Sequence, residues 1–520
     1  MVCSVTILAA LVAAILYYCF AERLIRAMYY GESWSILNDL IRYQQKKPVE
    51  HYINLSDRVF YEIWFLSGIA FPFIILLKEF IFSRRKQKVP QVCVGRATMD
   101  QAIDSKISVS QIMIILGISF GVRVIFLPWV SDLPLASDEN YYWSVAKLLG
   151  RGEFASTILR PPLWGYALAI PSFLYDHVFS GRIFSTIFGT CTPVLVYLLT
   201  IRIFNRRTGF IAALIYAVYP EHVCYSHYLW SELIFGMLLL SAVYFFFLFV
   251  EDKQKTRSLF ISFFMVGISL LSKEFAVIVF AGLMVTLLSL RTQNLLKKAL
   301  LGCFLFILPV LIYSLIISHV TNRVVILCDA PIGNLRAATG LDSQMTQLSE
   351  CRKGAITGYL SELKQKKPLQ LLRNLRKQFF NLWSPNSFPI VRLLGEHKPE
   401  SWSYNISRPW PWVCIIAGCY IFVVLTGLTG ICLDENRPFK IFSIVCLVGL
   451  FMIGVLAFLC SRFRLPFTFI FVIYSAHLLQ NWKKLIGHPD NLIRIFFLLI
   501  FLRIFVHIVQ TKIFTFGVWG

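Results

Sequence analysis

The apolar residues of this 520-residue chain fall in blocks of about 15 to 23, separated by short charged turns. A helix needs about 20 apolar residues to cross the hydrocarbon core of a bilayer, whereas a barrel strand needs about ten of alternating polarity. Lipid offers the backbone no hydrogen-bond partner, so blocks of this length commit the chain to helices that satisfy their own amide groups. Charged residues make up 15% of the sequence and hydrophobic residues 57%, against roughly 25% charge in soluble chains. An all-α polytopic membrane protein is therefore expected, and soluble, disordered and collagen-like folds are excluded. Lys and Arg number 50 against 28 Asp and Glu, a net charge of +22. In a membrane chain that excess marks loops facing anionic headgroups, so no nucleic-acid partner is expected.

Single spans are expected at 3–20, 61–82, 108–130, 180–201, 208–226, 230–250, 299–318, 411–431, 441–460, 465–481 and 494–510. The block 258–290 is too long for one span and carries Lys273-Glu274 at its centre. A charged pair at the bilayer midplane costs several kcal/mol. The block therefore reads as two short helices with Lys273 at a water-facing tip, giving about 11 to 13 spans. With that hairpin, one side of the later loops carries Arg202, Arg206, Arg207, Lys253, Lys255, Arg257, Arg291, Lys297, Lys298, Arg437, Lys440, Lys483, Lys484 and Arg494. The opposite turns carry only Lys273, Arg462 and Arg464. The positive-inside rule places the first group in the cytoplasm.

Four regions follow: 1–107, with extra N-terminal spans and a basic linker; 108–318, a transmembrane core with a first outer loop at 131–179; 319–410, a large outer loop; and 411–510, the last spans. The opening run 3–20 has no basic residue before it and reads as a retained helix rather than a signal peptide. The loop after it is basic although it should lie outside, and reads as part of an appended or re-entrant segment. The cluster Ser83–Lys88 reads as a cytoplasmic anchor. Within the large loop, Leu372, Leu375, Phe379 and Leu382 recur at helical spacing opposite Arg373, Arg376 and Lys377. A helix over 368–383 is expected, lying in the membrane interface or packed on the outer loop domain. Most of the 13 cysteines sit in apolar runs, but Cys328 and Cys351 fall in this loop. In an oxidising compartment they are expected to form a disulfide.

Chemistry-bearing residues gather in the outer turns. Asp138 and Glu139 follow the third span, and adjacent carboxylates at a low-dielectric rim repel unless something cationic or hydrogen-bonding partners them. Ser137 or Asp138 also suits the cap of a helix starting near Asn140. The turn 219–232 is dense in polar and aromatic groups, among them Tyr225, His227 and, at the start of the next span, Glu232. Two carboxylates converging there can divide base and orienting roles. His222 and His227 read as a weak metal signal or as part of an aromatic belt. Arg462, Arg464 and Lys273 run against the positive-inside bias, which calls for an anionic partner: lipid headgroups at large, or one phosphate held by Arg forks and a Lys point charge. No βαβ pattern with a Gly-rich turn is present to hold a nucleotide. A phosphate at the outer face then reads as a lipid headgroup.

Several of these motifs together resemble the GT-C glycosyltransferases. They are Asp138-Glu139 with Tyr141, Ala146 and Gly150 behind it; Arg160-Pro161-Pro162; the Ser-x-x-x-x-Ser-Glu run ending at Glu232; Gly267 through Ser272-Lys273-Glu274; the Pro368–Trp383 helix; and Arg462-Phe463-Arg464-Leu465-Pro466. The chain is similar to the family 39 polyprenyl-phosphate-sugar transferases, related to protein O-mannosyltransferases and the lipid A aminoarabinose transferase, over about 108–510. The resemblance implies a GT-C type helix bundle with a mixed outer loop domain. It also implies that Asp138 acts at the acceptor with Glu139 beside it, that Glu232 assists, and that Lys273 and Arg462 or Arg464 lie at the donor phosphate. Arg160 stands where the aminoarabinose transferases have Lys before Pro-Pro and is a further phosphate candidate. Tyr141, Tyr225 and His227 are expected to line the acceptor pocket.

The expected function is transfer of a sugar from a polyprenyl phosphate to an acceptor hydroxyl on the non-cytoplasmic face, with inversion. The bacterial inner membrane is the expected setting, and a divalent cation at Asp138 is left open. The expected partners are the lipid-linked sugar, membrane lipid, and a glycan, lipid or protein acceptor. The alternative is a lipid or sugar transporter, which would place its ionisable groups near the midplane in repeated halves; no repeat is visible here.

Overall fold

Asparagine, histidine and proline set where several helices begin and end. The Asn205 side chain accepts the Thr208 amide at 2.9 Å and starts a new helix just after Phe204 closes the previous one. His177 does the same through Phe179 N at 3.2 Å. Pro220 holds Tyr219 in extended backbone (φ −62°, ψ 117°), because a residue before proline is pushed out of the helical region. The span expected over 208–226 consequently stops at Val218, and a short helix follows.

The computed structural model describes residues 107–130, 133–135, 138–153, 160–290, 292–322, 410–434, 436–456 and 461–486, with single positions 325, 327, 328, 364, 370, 382 and 383. The expected spans at 3–20, 61–82 and 494–510, most of the 368–383 helix, and Cys351 with its pairing to Cys328 lie outside the described residues. Two compact units divide the chain: Met1–Pro90 with Trp482–His507, and Gln91–Asn481 with Ile508–Gly520. The elements described belong to the second unit, apart from the last residues of the final helix.

In chain order these are α1 Val109–Val130, α2 Asp138–Gly150, α3 Leu163–Leu174, α4 Val178–Ile203, α5 Arg206–Val218, α6 Pro220–Tyr225, α7 Glu232–Glu251, α8 Thr256–Leu270, α9 Ala276–Ser289, α10 Leu295–Thr321, α11 Trp410–Leu433, α12 Arg437–Leu456, a 3₁₀ turn Ser461–Phe467, and α13 Thr468–Ile486. All regular elements among the described residues are helical. Among the described residues, five apolar segments reach membrane-spanning length and hydropathy, over Val109–Pro128, Val178–Ile203, Glu232–Glu251, Leu295–Thr321 and Arg462–Trp482. The fold is that of an all-α polytopic membrane protein. The ambiguous 258–290 block breaks into α8 and α9 around a turn that holds Lys273. The segment 131–179, expected as the first outer loop, contains two helices, α2 and α3, packed on each other; α3 exposes Ile170, Phe173 and Leu174.

Helices α7, α8 and α10 pack side by side, as do α1, α4 and α5. Close approach of α8 and α10 requires Gly267: a Cβ there would stand 2.6 Å from the Phe306 carbonyl oxygen. Small residues at such crossings let two backbones meet. Two buried arginines tie helix ends together at one end of the bundle. Arg182 on α4 donates to the carbonyls of Val130 and Leu133, at and just beyond the end of α1, where a cation also suits the helix dipole. Arg123 on α1 donates to Ser119 O (2.8 Å) and Oγ (2.7 Å), Ala217 O (3.0 Å), Ser226 Oγ (2.9 Å) and His222 Nδ1 (2.8 Å). These bonds fix the 219–231 turn over the end of the bundle.

Candidate active site

Four separate elements bring their charges to one place. Asp138 opens α2 and Glu232 opens α7, each at the helix end where a carboxylate is favoured by the backbone dipole. Lys273 sits in the turn between α8 and α9, and Arg462 in the 3₁₀ turn before α13. The Arg462 guanidinium bridges the two acids, donating through one nitrogen to Asp138 Oδ2 and through Nε to Glu232 Oε1. Lys273 Nζ donates to the same Glu232 Oε1 at 2.7 Å. Arg160 reaches the other oxygen of Asp138, with Nη2 2.9 Å and Nε 3.1 Å away. Among the described residues, three cations thus surround two carboxylates, leaving one positive charge in excess.

Aromatic rings hold the cations in place. Arg462 lies over the Trp230 ring at 4.9 Å and Lys273 over the Phe463 ring at 4.8 Å, contacts that favour a cation where water is scarce. The Ser272 hydroxyl donates to Ser231 O at 3.3 Å and ties the hairpin turn to the start of α7. Glu232 Oε2 is buried and, among the described residues, accepts no hydrogen bond. Buried acceptors are ordinarily satisfied, so this oxygen is available to a hydroxyl of a bound molecule.

The other residues singled out in the sequence stand elsewhere. Glu139 is fully buried, and its Oε1 accepts the Leu229 amide at 2.9 Å, joining α2 to the 219–231 turn. Arg464 turns away from Asp138: it faces both oxygens of Glu221 at 3.3 Å, donates to Leu382 O at 2.7 Å and lies 4.0 Å from the Tyr420 ring centre. His227 is buried with Nε2 2.8 Å from Arg123 O, and Tyr225 is buried with its ring 5.5 Å from that of Trp230. Tyr141, one helical turn after Asp138, is half-buried and packs at the edge of the Tyr142–Trp164 cluster. Cys328 Sγ lies 3.7 Å from Glu274 Oε1. Among the described residues no group of three or more His, Cys, Asp and Glu stands together as a metal cage. The sequence reading passed over Arg123 and Arg182; the available signal was a lone charge inside each apolar run, which is costly there unless it has a task.

Electrostatics separate the acids from the histidines. Burial pushes the Asp138 carboxyl up, but the Arg462 and Arg160 guanidiniums, with Lys273 behind them, outweigh it and hold it well below the usual carboxylate range. Burial pulls the Lys273 ammonium below the usual lysine range, against the pull of Glu232. Burial and the Arg123 charge hold His222 well below its ordinary value, and burial brings His227 down to about 4. A histidine buried neutral must take up a proton on unfolding in acid, so stability falls as pH drops from about 6.5 towards 4. A carboxyl with a depressed value stabilises the fold above its unfolded value near 4 and loses that contribution only below it. The difference in thermal midpoint between wild type and Asp138→Asn should therefore stay level from pH 7 to about 5, while both proteins weaken, and shrink below about pH 4. Melting curves of the detergent-purified chain across that range check the order of the two events.

Residues 159–316 match the family described as dolichyl-phosphate-mannose-protein mannosyltransferase. That segment, which contains Arg160, Glu232 and Lys273, is similar to that family. No curated protein matches the chain. The solved structures similar to it include the Archaeoglobus fulgidus oligosaccharyltransferase in the apo form, at 15% identity, 78% of this chain, 55% of that one and a TM-score of 0.46. ArnT from Cupriavidus metallidurans bound to undecaprenyl phosphate is similar at 10% identity, over 72% of this chain and 78% of that one, with a TM-score of 0.38. The S. cerevisiae protein O-mannosyltransferase Pmt1-Pmt2 complex bound to the sugar donor is similar at 16% identity, over 48% and 39%, with a TM-score of 0.36. The chain spans little more than half the length of the archaeal enzyme.

Proposed function

We propose that this chain is a membrane glycosyltransferase that moves a sugar from a polyprenyl phosphate to an acceptor hydroxyl at the non-cytoplasmic face, with inversion. The observation that carries this reading is the Arg462 bridge between Asp138 and Glu232, flanked by Lys273 and Arg160. Cations in excess of carboxylates at a membrane rim suit an incoming phosphate, and they suit it better as negative charge grows on it. The match of residues 159–316 to the mannosyltransferase family supports the same chemistry.

In the proposed reaction the acceptor oxygen attacks the anomeric carbon of the bound sugar. Asp138 aligns that hydroxyl and takes its proton late, once bonding to the anomeric carbon has made it acidic enough for so weak a base; the bond from the anomeric carbon to the phosphate oxygen breaks, with the electron pair leaving on the polyprenyl phosphate. Arg462, Lys273 and Arg160 neutralise that developing charge, the kind of stabilisation that contributes most when its groups are already in place. Glu232 holds Arg462 and Lys273 and offers Oε2 to a substrate hydroxyl. Arg464 and Glu139 brace the surrounding loops. The bacterial inner membrane, with the site facing the periplasm, is the setting proposed.

The test is release of free polyprenyl phosphate from a sugar-loaded carrier, measured in detergent with purified chain and a panel of glycan, lipid and peptide acceptors. Acceptor-dependent release is expected. Movement of intact sugar-lipid across a vesicle membrane, with no release under any acceptor, would replace the transferase with a transporter.

A further inference from the structure

A second charged cluster lies at the far end of α7, seventeen residues and about 25 Å along the helix from Glu232. Phe249 is fully buried there, and two ammoniums close over its ring: Lys253 Nζ at 5.4 Å and Lys298 Nζ at 5.1 Å from the centroid. Like charges sharing one ring repel, and nearby carboxylates do not relieve them. Glu251 is engaged by Arg202 at 3.3 Å and Asp252 by Lys255 at 3.9 Å. Among the described residues neither Lys253 nor Lys298 has a carboxylate within ion-pair distance. Burial lowers the Lys253 ammonium from its usual range, and the charge of Lys298 adds to that.

The start of α10 increases the imbalance. Lys297 and Lys298 occupy its first turn, no acidic residue is present there, and Asn294 makes no side-chain cap bond. Cations are the unfavourable choice at the positive end of a helix dipole. From the same point an apolar stripe runs along α10 at helical spacing: Leu296 is 72% exposed, Leu300 62% and Phe304 55%, followed by Ile307 and Leu311. In a span as apolar as Leu295–Thr321, a stripe of that kind faces acyl chains.

From this juxtaposition we infer that Lys253 and Lys298, at the base of the Leu296–Leu300–Phe304 stripe, bind the phosphate of an anionic membrane phospholipid whose acyl chain lies along α10. The ammoniums supply two charges at headgroup height, Phe249 supports both side chains from beneath, and the stripe supplies the apolar contact that a free phosphate cannot use. This site lies at the opposite membrane end from Asp138 and is independent of the transfer reaction.

The full chain, purified and delipidated, can be titrated with phosphatidylglycerol, with phosphatidylcholine of the same chains, and with inorganic phosphate, reading thermal midpoint and lipid adducts by native mass spectrometry. Phosphatidylglycerol should raise the midpoint and leave retained adducts, with an effect that weakens in high salt; the other two should not. In the double variant Lys253→Gln, Lys298→Gln the apparent affinity should fall about thirtyfold, from roughly fivefold per charge. Lys253→Arg with Lys298→Arg should keep it, and Lys255→Gln should leave it unchanged. Equal retention of both lipids, an unaltered affinity in the glutamine variant, or inorganic phosphate reproducing the midpoint shift would each overturn the proposal.

Discussion

Asp138→Asn is expected to lower turnover by about 10²- to 10⁴-fold, the range a positioned general base supplies, while donor affinity changes by no more than a few-fold. Asparagine keeps the shape of the side chain and one oxygen to accept from Arg462 or Arg160, so the cluster of cations stays assembled. What is lost is the basic oxygen that takes the acceptor proton. The contrast is Glu139→Gln, which keeps an acceptor for the Leu229 amide and should leave turnover close to wild type. Single-turnover release of polyprenyl phosphate gives the chemical step, and binding of radiolabelled donor gives affinity separately. An Asp138→Asn protein that turns over within twofold of wild type would remove Asp138 from the reaction.

The two acids of that doublet separate for a reason that spacing could have supplied. Successive residues on an α-helix point about 100° apart, and α2 begins at Asp138 itself, so the pair cannot face one ligand together. One side chain reaches the cations and the other the Leu229 amide. The same geometry divides Arg462 from Arg464. In a 3₁₀ turn residues two apart point about 120° from each other, and Arg464 is directed to Glu221, an acid in the 219–232 turn. By contrast, the helical class, the α8–α9 hairpin and the convergence on Lys273 were legible. Each depends on the cost of placing charge in lipid, a constraint that acts on the chain locally. The partners of Arg123 were not legible, because four of its five bonds go to serine and histidine side chains and a carbonyl brought in from distant helices or to its own helix's backbone, none of which leaves a pattern in sequence.

Arg462→Lys is the second change with a large expected effect. A guanidinium presents several N–H groups in a fixed plane, so Arg462 holds Asp138 Oδ2 and Glu232 Oε1 at once in a set geometry and keeps further N–H groups for a phosphate. A lysine at this position keeps the charge, but its compact ammonium lacks the fixed fork that spans the two acids and the planar group that lies over Trp230 at 4.9 Å. Turnover should fall by about 10²- to 10³-fold, as when a preorganised charge-stabilising donor is removed, and donor KM should rise with it. A purely structural role for Arg462 would lower the amount of folded protein and leave the pH profile alone. In the proposed role the profile moves: with its largest cationic partner weakened, the Asp138 carboxyl rises, so the acid limb of the rate shifts to higher pH. Full rate–pH profiles of wild type and Arg462→Lys, each corrected for folded protein, test this directly, and coincident acid limbs would separate Arg462 from the ionisation of Asp138.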